Sequence, residues 1–248
     1  MNEYEKVKKV FDDYYNKYKN LSKDIDRKYT HSLNVVKLME ELAKRMGLDQ
    51  KDIILAKEIG LLHDLGRFEQ LKRTNSFKDS EFDHANYAVK YLFEEKHIRD
   101  FIDDDNNDEI IAKAILYHNK YEVPNSLSEK EKMFANMIRD MDKTDIFYQI
   151  AMNYESQFID EISKEVLEEF NKGKSISKNI IKTNSDRVLC KLAFVYDYNY
   201  NESLDILVET DNFGLFLSTI DVSKENETLF KELVNKCYKK INDGVEKN

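Results

Sequence analysis

Proline occurs once in this chain, at Pro124, and glycine only six times in 248 residues. Helix breakers are therefore nearly missing, and all-β or parallel-sheet architectures lack the turn chemistry they require. Cysteine is limited to Cys190 and Cys237, too few for a disulfide framework and without a CxxC zinc pair. No apolar run approaches the roughly 18 residues of a membrane span. Positive charge is also short. A formal net charge of −9 argues against a bulk nucleic-acid binder, which needs clustered cations to neutralise phosphates. It leaves room for a small anionic substrate met by a local cation or metal. The opening MNEYEKVKKVFDDYY carries charges where a signal peptide would be apolar. The expectation is a soluble, cytoplasmic protein of a reducing compartment, with no membrane partner.

What remains reads as helix. Residues 3–20 form a charged amphipathic helix, and 24–46 a second, stopped by Gly47. Residues 50–64 form a third, apolar on all sides and so buried, ended by Gly66. A short segment, 67–72, leads into the polar stretch RTNSFKDSEFD. Further helices are expected near 82–95, 107–119 and 128–152, with Pro124 in a connection, where it does least harm. Beyond residue 155 the helical segments are ISKEVLEEFNKGK, SDRVLCKLAFVYDYN, ESLDILVETDNFGLFLSTI and KENETLFKELVNKCYKKI. No linker, repeat or low-complexity tract interrupts them. The fold class is all-α: one helical domain over 1–248, with 155–248 a helical extension packed on the first part.

The histidines carry the chemistry. His31 begins the stripe Val35, Leu38/Met39, Leu42, and His84 begins Ala88, Tyr91/Leu92. His118 ends the stripe Ile111, Ala114/Ile115, and His63 lies in the most apolar helix. His97, in FEEKHIRD, has a charged neighbourhood and reads as a surface or helix-end residue. Four imidazoles on packed faces are costly unless they share a use, and convergence on a cation is the economical one. Asp64, beside His63 in the same apolar run, should be paired or metal-bound. Downstream, MIRDMDKTDIF offers Asp140, Asp142 and Asp145; periodicity does not choose among them.

The order His31, His63-Asp64 and a distal aspartate resembles the H…HD…D pattern of the HD superfamily of metal-dependent phosphohydrolases. The surrounding stretches YTHSLNVVKLMEELAKRMG, AKEIGLLHDLGR and RDMDKTD resemble it too, over about residues 25–150. The resemblance implies an HD helical core there and selects Asp142 as the distal ligand, because Lys143 and Asp145 follow it. His84 and His118 fall where binuclear members, such as the HD-GYP phosphodiesterases, place two further histidines. The GYP motif is absent, so the cyclic-dinucleotide substrate is not carried over.

The binuclear resemblance implies two divalent transition metal ions (Fe or Mn, with Ni, Co, Zn and Mg as further candidates). His31, His63 and Asp142 would bind one, His84 and His118 the other, and Asp64 would bridge them. A metal-bridged hydroxide would then attack a small phosphomonoester or phosphodiester, a nucleotide being one candidate. Arg67, past the helix end, and Lys143, beside Asp142, are the expected cations for the anionic phosphorylated substrate. Asn119 is a candidate substrate contact, with Lys120 beside it. Phe68 to Gln70 could line the pocket mouth, although Glu69 also fits an ordinary surface charge. The catalytic set is thus Asp64, Arg67 and Lys143. Two alternatives remain: an HD-fold di-iron oxygenase using the same six ligands, and a non-catalytic metal-containing nucleotide-binding module.

Overall fold

Helices make nearly all the regular structure, as the scarcity of proline and glycine predicts. The computed structural model describes residues 3–153 and 157–246. The first helices are α1 (Glu3–Asn16), α2 (Lys23–Arg45), α3 (Gln50–Leu62) and α4 (Leu65–Thr74). They are followed by α5 (His84–Val89), which runs into a π-helical turn (Lys90–Glu94), then α6 (Ile98–Phe101), α7 (Asp108–Tyr117) and α8 (Glu129–Met152). Local chemistry sets several of these ends. Asp49 accepts a hydrogen bond from the Asp52 amide at the start of α3, and Asp83 from the Asn86 amide at the start of α5. Gly47, at φ +69°, takes the left-handed conformation after α2.

The expected helix over 50–64 stops two residues early. α3 ends at Leu62, Asp64 is the N-cap of α4, and Gly66 lies inside α4. Gly66 is therefore not a helix terminator. A Cβ there would run into the backbone carbonyl of His84, so glycine is what lets α4 and α5 approach. Gly60 does the same for α3 and α2, where an added Cβ would stand 3.2 Å from Val36 Cα. These two approaches bring together the helices bearing His31, His63, Asp64 and His84.

By its contacts the chain divides into two compact units, residues 1–142 and 143–248. The boundary falls within α8. In the first, α2 and α3 pack a core that includes Val35, Met39, Leu42, Leu55 and Ile59. Beside it Phe68 is ringed by Phe11, Tyr14, Tyr15 and Tyr18.

The second unit has a core of its own, built on Phe147, Phe170, Phe213 and Phe216. Residues 154–156, where the expected extension begins, lie outside the described residues. The unit continues with β1 (Gln157–Ile159), α9 (Lys164–Asn171), α10 (Asn184–Leu192) and α11 (Asn201–Glu209). It closes with α12 (Asn212–Leu217), β2 (Ile220–Val222) and α13 (Glu227–Val245). β1 and β2 pair in parallel, with Phe158 opposite Asp221. These three-residue strands leave the fold class all-α. Cys190 and Cys237 are buried free thiols. Among the described residues no helix is long and apolar enough to cross a membrane.

Candidate metal centre

His31 lies within α2, His63 is the C-cap of α3, Asp64 the N-cap of α4, and His84 the first residue of α5. His118 is the C-cap of α7, and Asp142 lies in α8. The structure brings all six together in two groups. His31, His63, Asp64 and Asp142 offer ligand atoms within 4.8 Å of one another, and so do Asp64, His84 and His118. Asp64 is common to both, and its two oxygens divide between them. Oδ2 is 3.5 Å from His31 Nε2 and 3.6 Å from His63 Nε2. Oδ1 is 3.1 Å from His84 Nε2 and 3.6 Å from His118 Nε2. Asp142 Oδ1 completes the first group, 3.0 Å from His31 Nε2 and 3.7 Å from His63 Nε2.

The rings are oriented from behind. His63 Nδ1 donates to the Gly60 carbonyl at 2.8 Å, and His118 Nδ1 to the Ile115 carbonyl at 2.7 Å. Each ring thus satisfies a carbonyl of the last turn of its own helix. His84 Nδ1 donates to Asp79 Oδ1 at 2.7 Å. Carbonyls and carboxylates only accept, so in the neutral rings all three Nε2 atoms present lone pairs inward. His84 Nε2 and His118 Nε2 stand 3.1 Å apart, and His63 Nε2 and His31 Nε2 3.3 Å. Acceptors so close to one another and to carboxylate oxygens need a proton or a cation between them. Burial pushes the His118 pKa down to about 4, which disfavours the proton at neutral pH. Imidazole and carboxylate donors facing a shared space fit a divalent ion.

Burial would raise the pKa of Asp64, but Lys28, followed by the neighbouring histidines, holds it well below the usual carboxylate range. Burial acts the same way on Asp142, and His31 and His63 outweigh it. Both carboxylates are ionised, as metal ligands must be.

The surrounding layer includes residues the sequence reading passed over. Lys28 Nζ reaches Asp64 Oδ2 at 2.6 Å, placing an ammonium on a candidate ligand. Its signal was the i, i+3 spacing to His31, which puts both on one helix face. Asp79 joins three groups: it accepts from His84, from Arg67 Nη1 at 2.8 Å, and from Asn119 Nδ2 at 3.4 Å. Phe77 gathers the cations of Arg27, Lys28 and Arg67 within 5.0, 5.7 and 5.8 Å of its ring. Asp79 and Phe77 lie in an irregular segment with no periodicity to mark them. Arg139, on α8, donates to the carbonyls of Tyr117, Lys120 and Tyr121, fixing the chain that bears His118.

Other expected residues have varied placements. Arg67 Nε stands 3.5 Å from Asp64 Oδ1 and is buried without a hydrogen-bond partner, while Nη1 is taken by Gln70, Phe77 and Asp79. Asn119 Oδ1 is also buried without a partner. Lys143 belongs to the second unit, and its ammonium pairs with Asp197 at 2.7 Å. Lys120 pairs with Asp83 at 2.6 Å, which ties it to the cap of α5.

Phe68 to Gln70 do not form a pocket mouth. Phe68 is fully buried among aromatic rings, Glu69 is held by Tyr18 and Arg73, and Gln70 by Arg67 and the Phe82 carbonyl. The reason is Gly66: because α4 starts before it, these residues turn with a helix. Of the three acidic candidates on α8, Asp142 is the one at the histidines; Asp145 accepts from Gln149. His97 is the N-cap of α6, stacked on Tyr91 and bonded to Asp100, apart from the cluster.

No curated protein and no solved structure matches this chain. A family model, that of the HD domain, matches residues 29–182, more than half of the sequence. The match begins two residues before His31 and includes every member of the two histidine–aspartate groups. This chain belongs to the HD-domain family.

Proposed function

We propose that the chain is a metal-dependent phosphohydrolase acting on a small phosphomonoester or phosphodiester, nucleotides included. In this reading two divalent ions would be held, one by His31, His63, Asp64 and Asp142, the other by Asp64, His84 and His118. The observation that carries it is the division of the Asp64 carboxylate, one oxygen toward each pair of histidines. When bound, such ions supply an activated water and positive charge for the phosphoryl oxygens. The chain's own residues do the rest. In their neutral form His63, His84 and His118 donate Nδ1–H to fixed acceptors, which orients the Nε2 lone pairs toward the site. Lys28 and Arg67 bring positive charge to the side of Asp64, where a phosphoryl group would need it. Lys143 and Asn119 remain in the proposal as outer substrate contacts.

The test is metal analysis of the purified chain, followed by phosphatase and phosphodiesterase substrates with added manganese or iron, under air and without oxygen. About two ions per chain and phosphate release that persists without oxygen are expected. Oxygen consumption with no hydrolysis would instead support the di-iron oxygenase, and neither activity would leave the non-catalytic module. His63→Ala should abolish turnover while the helical content is retained.

A further inference from the structure

Within residues 1–142 a second polar feature lies apart from the histidines. A cleft of about 520 Å³ is lined by the carboxylates of Glu3, Asp49, Asp52, Glu58 and Asp104. Two lysines also face it, Lys51 and Lys130. Lys130 is already bound to Asp52 at 2.6 Å, and Asp49 caps α3. Glu58 differs from the others. It is only 4% exposed, and its Oε1 has no hydrogen-bond partner. Burial, with the charges of Glu3 and Asp104 added, pushes its pKa up to about 8. An acid inside a helical core without a partner is costly to keep, and a hydrophobic residue would pack there without that cost. None of the proposed phosphohydrolase chemistry uses it.

The arrangement also says what kind of cation would relieve Glu58. Among the described residues, ligand atoms of three or more His, Cys, Asp or Glu side chains come within 4.8 Å of one another only in the two histidine–aspartate groups. The cleft carboxylates are more widely spaced, so one small metal ion cannot touch three of them. Ile54 and Leu55 line the same cleft as an apolar wall. An alkyl chain with an ammonium at each end matches both features: methylenes against the wall and charge at separated carboxylates.

We propose that this cleft binds a small organic dication of the linear diamine or polyamine class, one ammonium pairing with the Glu58 carboxylate as its proton is released to solvent, the other toward Glu3 and Asp104. The site does not depend on the hydrolase reading, since it shares no residue with the histidine–aspartate groups.

Calorimetric titration of the full-length, metal-loaded protein with 1,4-diaminobutane tests it, with butylamine, potassium and magnesium as comparison cations. Saturable one-to-one binding is expected, at least tenfold tighter than butylamine. Glu58→Gln should weaken it at least tenfold with the metal content unchanged. Asp104→Asn, at an exposed position, should weaken it as well and serves if Glu58→Gln does not fold. No saturable binding, or equal binding by the variants, overturns the proposal. Displacement of the diamine by stoichiometric magnesium overturns the organic class of the ligand.

Discussion

Asp79 and Glu58 are both acidic residues in the first unit, and their surroundings give them opposite behaviour. Asp79 accepts from His84 Nδ1 and from Arg67, so it fixes a ring and a guanidinium at once. Asp79→Asn exchanges a charged acceptor for an amide. The affinity of the proposed site at His84 and His118 for a divalent ion should fall by about 10–100-fold, the usual cost of losing the partner of a ligating histidine. Binding at the proposed site of His31, His63 and Asp142 should be retained. Metal titration followed by elemental analysis distinguishes the two, and equal loss of both ions would refute a specific role for Asp79. Glu58 has no such donor. Its pKa rises from the ordinary 4.5 to about 8 on folding, so between these values the folded state holds a proton that the unfolded chain releases. The contribution to stability is therefore present at low pH and is lost as pH rises through about 8. Glu58→Gln keeps the shape and removes the titration. Its melting temperature relative to the natural chain should climb between about pH 5 and pH 9. A constant offset across that range would contradict the assignment.

At the scale of elements, the site depends on helix ends and close helix approaches. Three of the four histidines sit at helix termini, where a ring can reach a terminal carbonyl or a neighbouring acid without leaving its helix. Gly66 shows how narrow the fit is. In an open helix, Gly→Ala stabilises by about 1 kcal/mol. Here the added methyl meets the His84 carbonyl, which is backbone and cannot rotate away. Gly66→Ala should therefore destabilise the chain by about 1–3 kcal/mol. It should also weaken metal binding at the proposed site of His84 more than at that of His31, because α5 is the element displaced. Urea unfolding with and without metal measures both effects. An unchanged or raised unfolding midpoint would mean that α4 and α5 are not so closely apposed.

At the scale of the molecule, the first unit gathers the acceptors of six side chains, with the cations of Lys28 and Arg67 beside Asp64. Binding that is specific to the folded state stabilises by mass action, about 2.7 kcal/mol at a hundredfold excess over Kd. For a chain of this length that corresponds to a rise in melting temperature on the order of 5–10 °C. Saturating manganese should produce such a rise and a chelator should reverse it. The second unit holds no comparable group among its described residues. Proteolysis after partial unfolding should thus show metal protecting residues 1–142 and leaving 143–248 unaffected. Equal protection throughout would point to a different mode of binding.

The sequence alone determined the helical class, because helix propensity, missing breakers and 3.6-residue stripes are local properties. It also determined which residue types converge, since His31, His63, Asp64, His84 and His118 each stand on an apolar face or run. The choice of Asp142 over Asp140 and Asp145 could not be read from spacing, since three acids within six residues of one helix differ only in direction; the family resemblance selected Asp142, and its Oδ1 lies 3.0 Å from His31 Nε2. Nor could the uses of Lys28, Asp79 and Arg139, whose partners lie 36, 5 and 22 residues away in sequence. Gly66 read as a stop and proved to be a point of contact, because a glycine's reason is whatever occupies the space its side chain would fill. The sequence suggested an extension from residue 155, whereas the contacts divide the chain at 142/143, within α8, which runs through that point without any break in its pattern. Periodicity reports which face of a helix is buried. Only the tertiary structure decides what that face is buried against, and in this chain that decides which acids meet the histidines.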